Sequence, residues 1–318
     1  MNTRRMLGIS LMTLGLSFAT RSFAQTFTYT QIDVPNSSGS SPSASNSYGQ
    51  IVGSFEDADG TVHGFLRDTD GTYLKFDYPG AIFTGALSIN DQGVIVGPWI
   101  DSKGYRHTYL RYPSGAFSNL DPPAPCIRTK NPTTAHRINN HGDIVGRCFS
   151  PNHHEYGWLL HNDGTFQIVT GSGFDGSDAW FAPIGGQYIA GGDYGVGAAQ
   201  FCAGPGRSFL HAVGTCFVHG VLWNRNGGFT TLDVGNSQTA LRAMNSSGDI
   251  TGVYYDAALA RLHGFLLRNG VIINIDFPNS IDSEDNIFIN DNGLITGGFI
   301  DAAGVEHGFV ATCSDNGC

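Results

Sequence analysis

Histidine and aspartate recur in step along this chain. His63 and Asp77, His107 and Asp121, and His219 and Asp233 are each 14 residues apart, and His263 and Asp276 are 13 apart. A fifth histidine, His307, finds its partner in Asp33 if the two ends of the chain meet. A His–carboxylate dyad is the working part of many general-base and nucleophilic sites, and imidazole is a common metal ligand. Five copies at equivalent places in a repeat point elsewhere. They cannot gather on one ion at ~2.1 Å, so no metal is expected, and no cofactor motif accompanies them. Where the third copy should stand, both members are lost together, and the chain reads Tyr156 and Thr170. Joint loss implies that the two side chains meet across a hairpin. The pairs are therefore read as structural, charge-assisted hydrogen bonds of about 1.5–3 kcal/mol each. Asp57-Ala58-Asp59-Gly60 and Asp68-Thr69-Asp70-Gly71 resemble fragments of calcium loops but lack the bidentate Glu, and read as turns.

Residues that break the repeat are better candidates for binding, because the repeat does not explain them. Arg128 and Lys130 lie in the inserted segment Pro122 to Thr134. Asp178 and Trp180 interrupt the start of unit four, and Asp193, Tyr194, Arg207 and His211 lie in a second insertion, Gly192 to Phe217. Loops on a rigid scaffold commonly carry function. Asp178, Asp193, Arg207 and His211 could supply an acid–base pair only if the second insertion folds over the axis of the molecule. There is no nucleophile elbow and no HExxH motif, so no catalytic residue is assigned.

The elements that position these residues follow from three motifs in fixed order. The first is His-Gly-aromatic-Leu, at 63–66, 107–110, 219–222, 263–266 and 307–310, with a worn copy at Tyr156 to Leu159. Successive starts are 44, 49, 63, 44 and 44 residues apart. The second is Asn-x-x-Gly-x-Ile-x-Gly, at 46–53, 90–97, 139–146, 245–252 and 290–297, with a degenerate fourth copy expected at Gly186 to Gly191. The third is an alternating strand ending in Asp, as in Tyr73 to Asp77. Each unit reads as four short strands, A to D, joined by Asn/Gly turns. A period of ~40–45 residues built of four strands is that of a propeller blade.

The expected fold is therefore all-β, a six-bladed β-propeller of four-stranded blades. Its single domain spans 25–318, with blades at about 38–78, 82–122, 134–170, 176–234, 238–277 and 283–312. The last unit lacks strand D, and residues 27–35 match that strand, so the N-terminal strand should complete the sixth blade and leave no open edge. An open solenoid is the rival architecture, but it needs caps that the sequence does not show. The wording of the repeat resembles the HAF-type bacterial extracellular repeat family over nearly all of residues 26–312. That resemblance implies an exported, propeller-like repeat protein and no particular biochemical role; units three and four depart from its pattern.

Residues 1–24 read as a cleaved signal peptide: Arg4 and Arg5, an apolar run from Met6 to Leu16, then Ser22-Phe23-Ala24. That run is too short to span a bilayer. Removing residues 1–24, with Arg4, Arg5 and Arg21, lowers Lys+Arg from 17 to 14 against 27 acids, a net charge of about −13, which argues against nucleic acid or anionic lipid as partners. The six cysteines of an exported chain read as disulfides. Many pairings are open; local spacing favours Cys202–Cys216 and Cys313–Cys318, leaving Cys126–Cys148. The expected protein is a secreted or periplasmic monomer that recognises or scaffolds an extracellular glycan or protein without catalysis. The alternative is a propeller enzyme of the polysaccharide lyase or glycoside hydrolase type, using the loop-rich face of blades two to four.

Overall fold

The computed structural model describes residues 27–121, 126, 134–149, 155–169, 179–180, 187–188, 194–202, 216–224, 229–283 and 287–313. Within them every regular element is a strand, and the strands form a β-propeller of four-stranded antiparallel blades. Six sheets are present. The first runs Gly39–Ser45, Ile51–Glu56, Val62–Arg67 and Tyr73–Phe76, and the fifth Thr239–Met244, Ile250–Asp256, Arg261–Arg268 and Val271–Asn274. In the sixth, Ile295–Ile300 and Glu306–Cys313 are joined by Phe27–Ile32, which pairs antiparallel with the last strand from Phe27↔Cys313 to Ile32↔Gly308.

Strand A is more broken than its motif suggests. In the first, third and fifth sheets its register slips at one place, between Pro42 and Ala44, Ala135 and Arg137, and Leu241 and Ala243. In the second and sixth sheets the same interruption splits it, into Phe83–Thr84 with Ser88–Ile89 and Asp282–Ser283 with Phe288–Ile289. A bulge at this point re-aims the inner end of the strand.

The packing explains why two motif positions are fixed. Phe65, Tyr109, Trp158, Phe265 and Phe309, the aromatic of His-Gly-aromatic-Leu, are among the largest fully buried side chains. Each stands directly opposite the second glycine of the Asn/Gly motif on strand B: Gly53↔Phe65, Gly97↔Tyr109, Gly146↔Trp158, Gly252↔Phe265 and Gly297↔Phe309. A Cβ at Gly252 would sit 2.3 Å from Ala240 O and 2.9 Å from the Phe265 ring, so only glycine admits the ring and the bulged strand A together. The cores lie between blades. One joins Phe76 and Ala44 to Ile95 and Tyr109, another Val96 to Trp158, and a third unites the fifth and sixth sheets through Leu266, Ile287 and Phe309. Ile32, which ends the N-terminal strand, and Val34 just beyond it pack with Ile51, Phe55 and Phe65 of the first sheet. Each sheet thus buries both faces by borrowing a neighbour.

Blade four corrects one motif placement. Gly197 pairs with Val221, the position that the other blades give to the second glycine, so strand B begins at Tyr194 and Gln187–Tyr188 belongs to strand A. The expected copy at Gly186 to Gly191 is therefore out of phase. Nor is Gly192 to Phe217 a loop throughout. Tyr194–Cys202 and Cys216–Asn224 pair along their whole length, so the insertion begins as a lengthened B–C hairpin. Gly-Val-Gly-Ala-Ala-Gln-Phe contains no proline, so every residue keeps the backbone N–H that the ladder needs.

The motif asparagine ties blade to blade. Its Oδ1 accepts backbone N–H bonds within its own turn, as Asn290 does from Asn292 N at 3.0 Å and Leu294 N at 2.9 Å. Its Nδ2 donates to the carbonyl of the corresponding asparagine in the next blade. Asn46 donates to Asn90 O (3.4 Å), Asn90 to Asn139 O (3.2 Å), Asn245 to Asn290 O (3.3 Å) and Asn290 to Asn46 O (2.7 Å). The last of these joins the sixth sheet to the first. Asn290→Asp keeps the turn cap and removes only the donor, leaving a carboxylate against a carbonyl. It should cost about 1–3 kcal/mol of unfolding free energy, measured by urea denaturation.

Candidate functional site

The structure brings the members of all five His–Asp pairs together. Nδ1 of the imidazole lies 2.8 Å from Asp77 for His63, 3.4 Å from Asp121 for His107 and 2.6 Å from Asp233 for His219. The remaining two distances are 2.6 Å for His263 and Asp276 and 3.0 Å for His307 and Asp33. The last pair crosses from the C-terminal hairpin to the N-terminal strand. The aspartate's other oxygen accepts from the next backbone N–H: Gly220, Gly264 and Gly308 each donate at 3.2 Å. Glycine follows histidine for steric reasons: a Cβ at Gly264 would lie 2.6 Å from Ile275 O and one at Gly220 2.4 Å from Leu232 O.

A second carboxylate completes four of the five sets. His63 Nε2 is 2.8 Å from Asp57, His107 Nε2 3.5 Å from Asp101, His263 Nε2 3.8 Å from Asp256 and His307 Nε2 3.4 Å from Asp301. These aspartates open the B–C turn, where Asp101 Oδ1 accepts from Lys103 N and Tyr105 N at 2.9 Å each. An aromatic from strand B packs beside each of these four rings, whereas Ala199 stands opposite His219; Trp99 stacks on His107 with centroids 4.3 Å apart. Phe55, Tyr254 and Phe299 stand at the equivalent places. The second aspartate was missed in the sequence because its distance to histidine varies: six residues in three blades and seven at Asp256. The signal that finds it is Gly-x-aromatic-x-Asp, counted from the strand B glycine, as in Gly97-Pro98-Trp99-Ile100-Asp101.

In the third blade the same positions hold Cys148 and Ser150, with Tyr156 opposite Cys148. Cys148 forms a disulfide with Cys126, in the connection that enters the blade, with an S–S distance of 1.98 Å. The blade that lost the polar clasp therefore carries a covalent one. Cys313 is also disulfide-bonded, and its expected partner, Cys318, lies outside the described residues. Cys202 and Cys216 stand opposite one another in register. These features are compatible with an extracellular location, and no helix among the described residues is long and apolar enough to cross a membrane.

Of the binding candidates, Arg128, Lys130, Asp178, Asp193, Arg207 and His211 lie outside the described residues. Trp180 and Tyr194 do not lie in loops. Trp180 pairs with Gln200 in strand A, and Tyr194 pairs with Asn224 at the start of strand B.

Sequence reasoning also passed over the axis. Where the A strands converge, a cavity of about 60 Å³ opens towards the A–B turns, lined by Ser88, Arg137, Asn139 and Phe288, with Asp91 and Asp291 among the turn residues. Arg137 crosses from the third sheet to lay its guanidinium 3.6 Å from the centre of the Phe288 ring in the sixth. Its Nη1 donates to Leu87 O at 2.5 Å and to His136 O at 2.6 Å.

Electrostatics set the acid limit of the polar clasps. Backbone N–H bonds, chiefly from Tyr105 and Val305, together with the histidine opposite, hold Asp101 and Asp301 below the usual carboxylate range. Groups depressed in the folded state stabilise it above their unfolded value near ~3.9 and lose that contribution as pH falls through the folded value. The wild type should therefore lose thermal stability steeply below about pH 4. Asp101→Asn with Asp301→Asn should be less stable at pH 7 and show a shallower acid limb in a pH series of melting curves.

No family model matches the chain, and no curated protein matches it. Solved structures do. AofleA from Arthrobotrys oligospora is similar over 90% of this chain and 86% of its own, at 10% identity and a TM-score of 0.53. The β-propeller domain of the Trilobed protease from Pyrococcus furiosus, described as having an open velcro topology, is similar over 88% and 85%, at 10% identity and a TM-score of 0.50. Likeness at such identity is likeness of fold, and it identifies the chain as a β-propeller.

Proposed function

We propose that this protein is a secreted or periplasmic recognition or scaffold module without catalysis. In this reading its six sheets form one closed ring, and its ligand-facing groups sit on the inserted segments of blades two to four. One observation supports it above the others: the side chains that could do chemistry are spent on the fold. Each of the five imidazoles has Nδ1 on a carboxylate of its own blade, and four have a second carboxylate facing Nε2. A general base must keep a face for its substrate, and those four do not.

The repeat is then a rigid frame, and Arg128, Lys130, Asp178, Asp193, Arg207 and His211 remain the candidates for contact with a glycan or protein. The resemblance to HAF-type repeats fits the same reading.

The lengthened hairpin of blade four offers a clean test. Cys202 and Cys216 are direct partners in register, so an Asn-Gly turn can replace residues 203–215 and close the strands. Wild type and this variant should be compared on a glycan array and a panel of polysaccharide hydrolase and lyase substrates. The expected result is binding without turnover, weakened at least tenfold in the variant while its melting temperature holds. Turnover of any substrate, or binding that survives the replacement, contradicts the proposal.

A further inference from the structure

Arg137 is 6% exposed, yet no carboxylate among the described residues lies within ion-pair distance of it. Its Nε is buried without a hydrogen-bond partner, and Nη1 alone meets protein carbonyls. Desolvation by burial, with repulsion from Arg242, itself 3% exposed, pushes the Arg137 guanidinium down to about 9. A buried charge without a counter-charge is costly, and folded proteins rarely keep one that nothing compensates. The Phe288 ring meets one face of the guanidinium, which offsets part of that cost. The edge towards the cavity has no such relief.

We infer that the axial cavity is an anion site, in which Arg137 receives a single carboxylate group of a small ligand. At ~15 Å³ for each probe-sized atom, 60 Å³ holds a group of about four heavy atoms, the size of acetate. A planar carboxylate also matches the guanidinium fork. Ser88 and Asn139 line the same cavity and supply polar atoms beside it. The turns at its mouth set the sign of what may follow. Asp91 accepts from Ser47 N and Asn140 Nδ2 at 2.8 Å each, and Asp291 accepts from Ser246 N at 2.7 Å, so both are held in place beside the opening. They repel further negative charge, which disfavours phosphate or sulfate and leaves a ligand whose remainder is neutral or cationic. This site faces the A–B turns, at the other end of the strands from Cys202 and Cys216, and does not depend on the recognition proposed for the inserted segments.

The test uses the exported chain with its disulfides intact. Sodium acetate is titrated at constant ionic strength and near-neutral pH while the melting temperature is followed, with inorganic phosphate as the comparison. Acetate should give a saturable rise and phosphate a much smaller one. Arg137→Lys keeps the charge but loses the fork, and should weaken the apparent acetate affinity at least tenfold. Arg137→Gln should abolish the response and melt no lower than the anion-free wild type. An acetate-insensitive wild type overturns the inference whether or not either variant folds. An equal response to phosphate, or an undiminished one in the lysine variant, overturns it as well.

Discussion

A four-stranded sheet with apolar side chains on both faces cannot stand alone, and everything else in this molecule follows from that constraint. Each blade needs a neighbour on either side, so the chain must supply a partner for its first blade and its last. Phe27–Ile32 meets that need twice. It pairs with Glu306–Cys313 as the outer strand of the sixth sheet, and its last residue, Ile32, packs with Val34 onto the first. The Asn290 amide, bonded to Asn46 O, closes the same seam near the axis. Asparagine suits this position because a single side chain caps its own turn through oxygen and reaches the next blade through nitrogen. Aspartate could do only the first.

Four of the blades are then held at their other end by Asp–His–Asp clasps, one carboxylate from the end of strand D and one from the B–C turn. Imidazole between two carboxylates joins three segments of one blade without any apolar area. Blade three shows that the clasp is a solution to a mechanical need. Tyr156 stands where the histidine would be, Cys148 where the aromatic would be, and a bond to Cys126 ties the entering connection to strand B. A disulfide closing a loop of this length contributes about 3 kcal/mol in the chain-entropy account, comparable with the charge-assisted hydrogen bonds it replaces.

Much of this was legible in the sequence because repetition turns a weak local signal into a strong one. His63 with Asp77 is one coincidence; five such spacings, with a joint loss at 156 and 170, amount to a contact. The readings that failed did so where repetition fails. In blade four, glycine-rich sequence put the motif at Gly186 to Gly191, and the pairing of Gly197 with Val221 moves strand B to Tyr194 onward. Tyr194 read as a loop residue because an insertion inside a hairpin can lengthen strands as readily as loops. The second aspartates were hidden by one extra residue before His263. Arg137 was invisible for a different reason: its meaning lies in the convergence of strands from opposite sides of the ring, which no local pattern encodes. The likeness to other propellers adds the fold and leaves the ligand to the residues that break the symmetry.

Ring closure carries the account, and native-state hydrogen exchange on the amides of Phe27–Ile32 tests it most directly. If this strand closes the ring, its hydrogen-bonded amides should exchange only through global unfolding, with the same denaturant dependence as those of Ile295–Ile300 in the same sheet. Exchange by local fraying, with free energies well below the global value and no denaturant dependence, would show a detachable terminal strand and contradict the account.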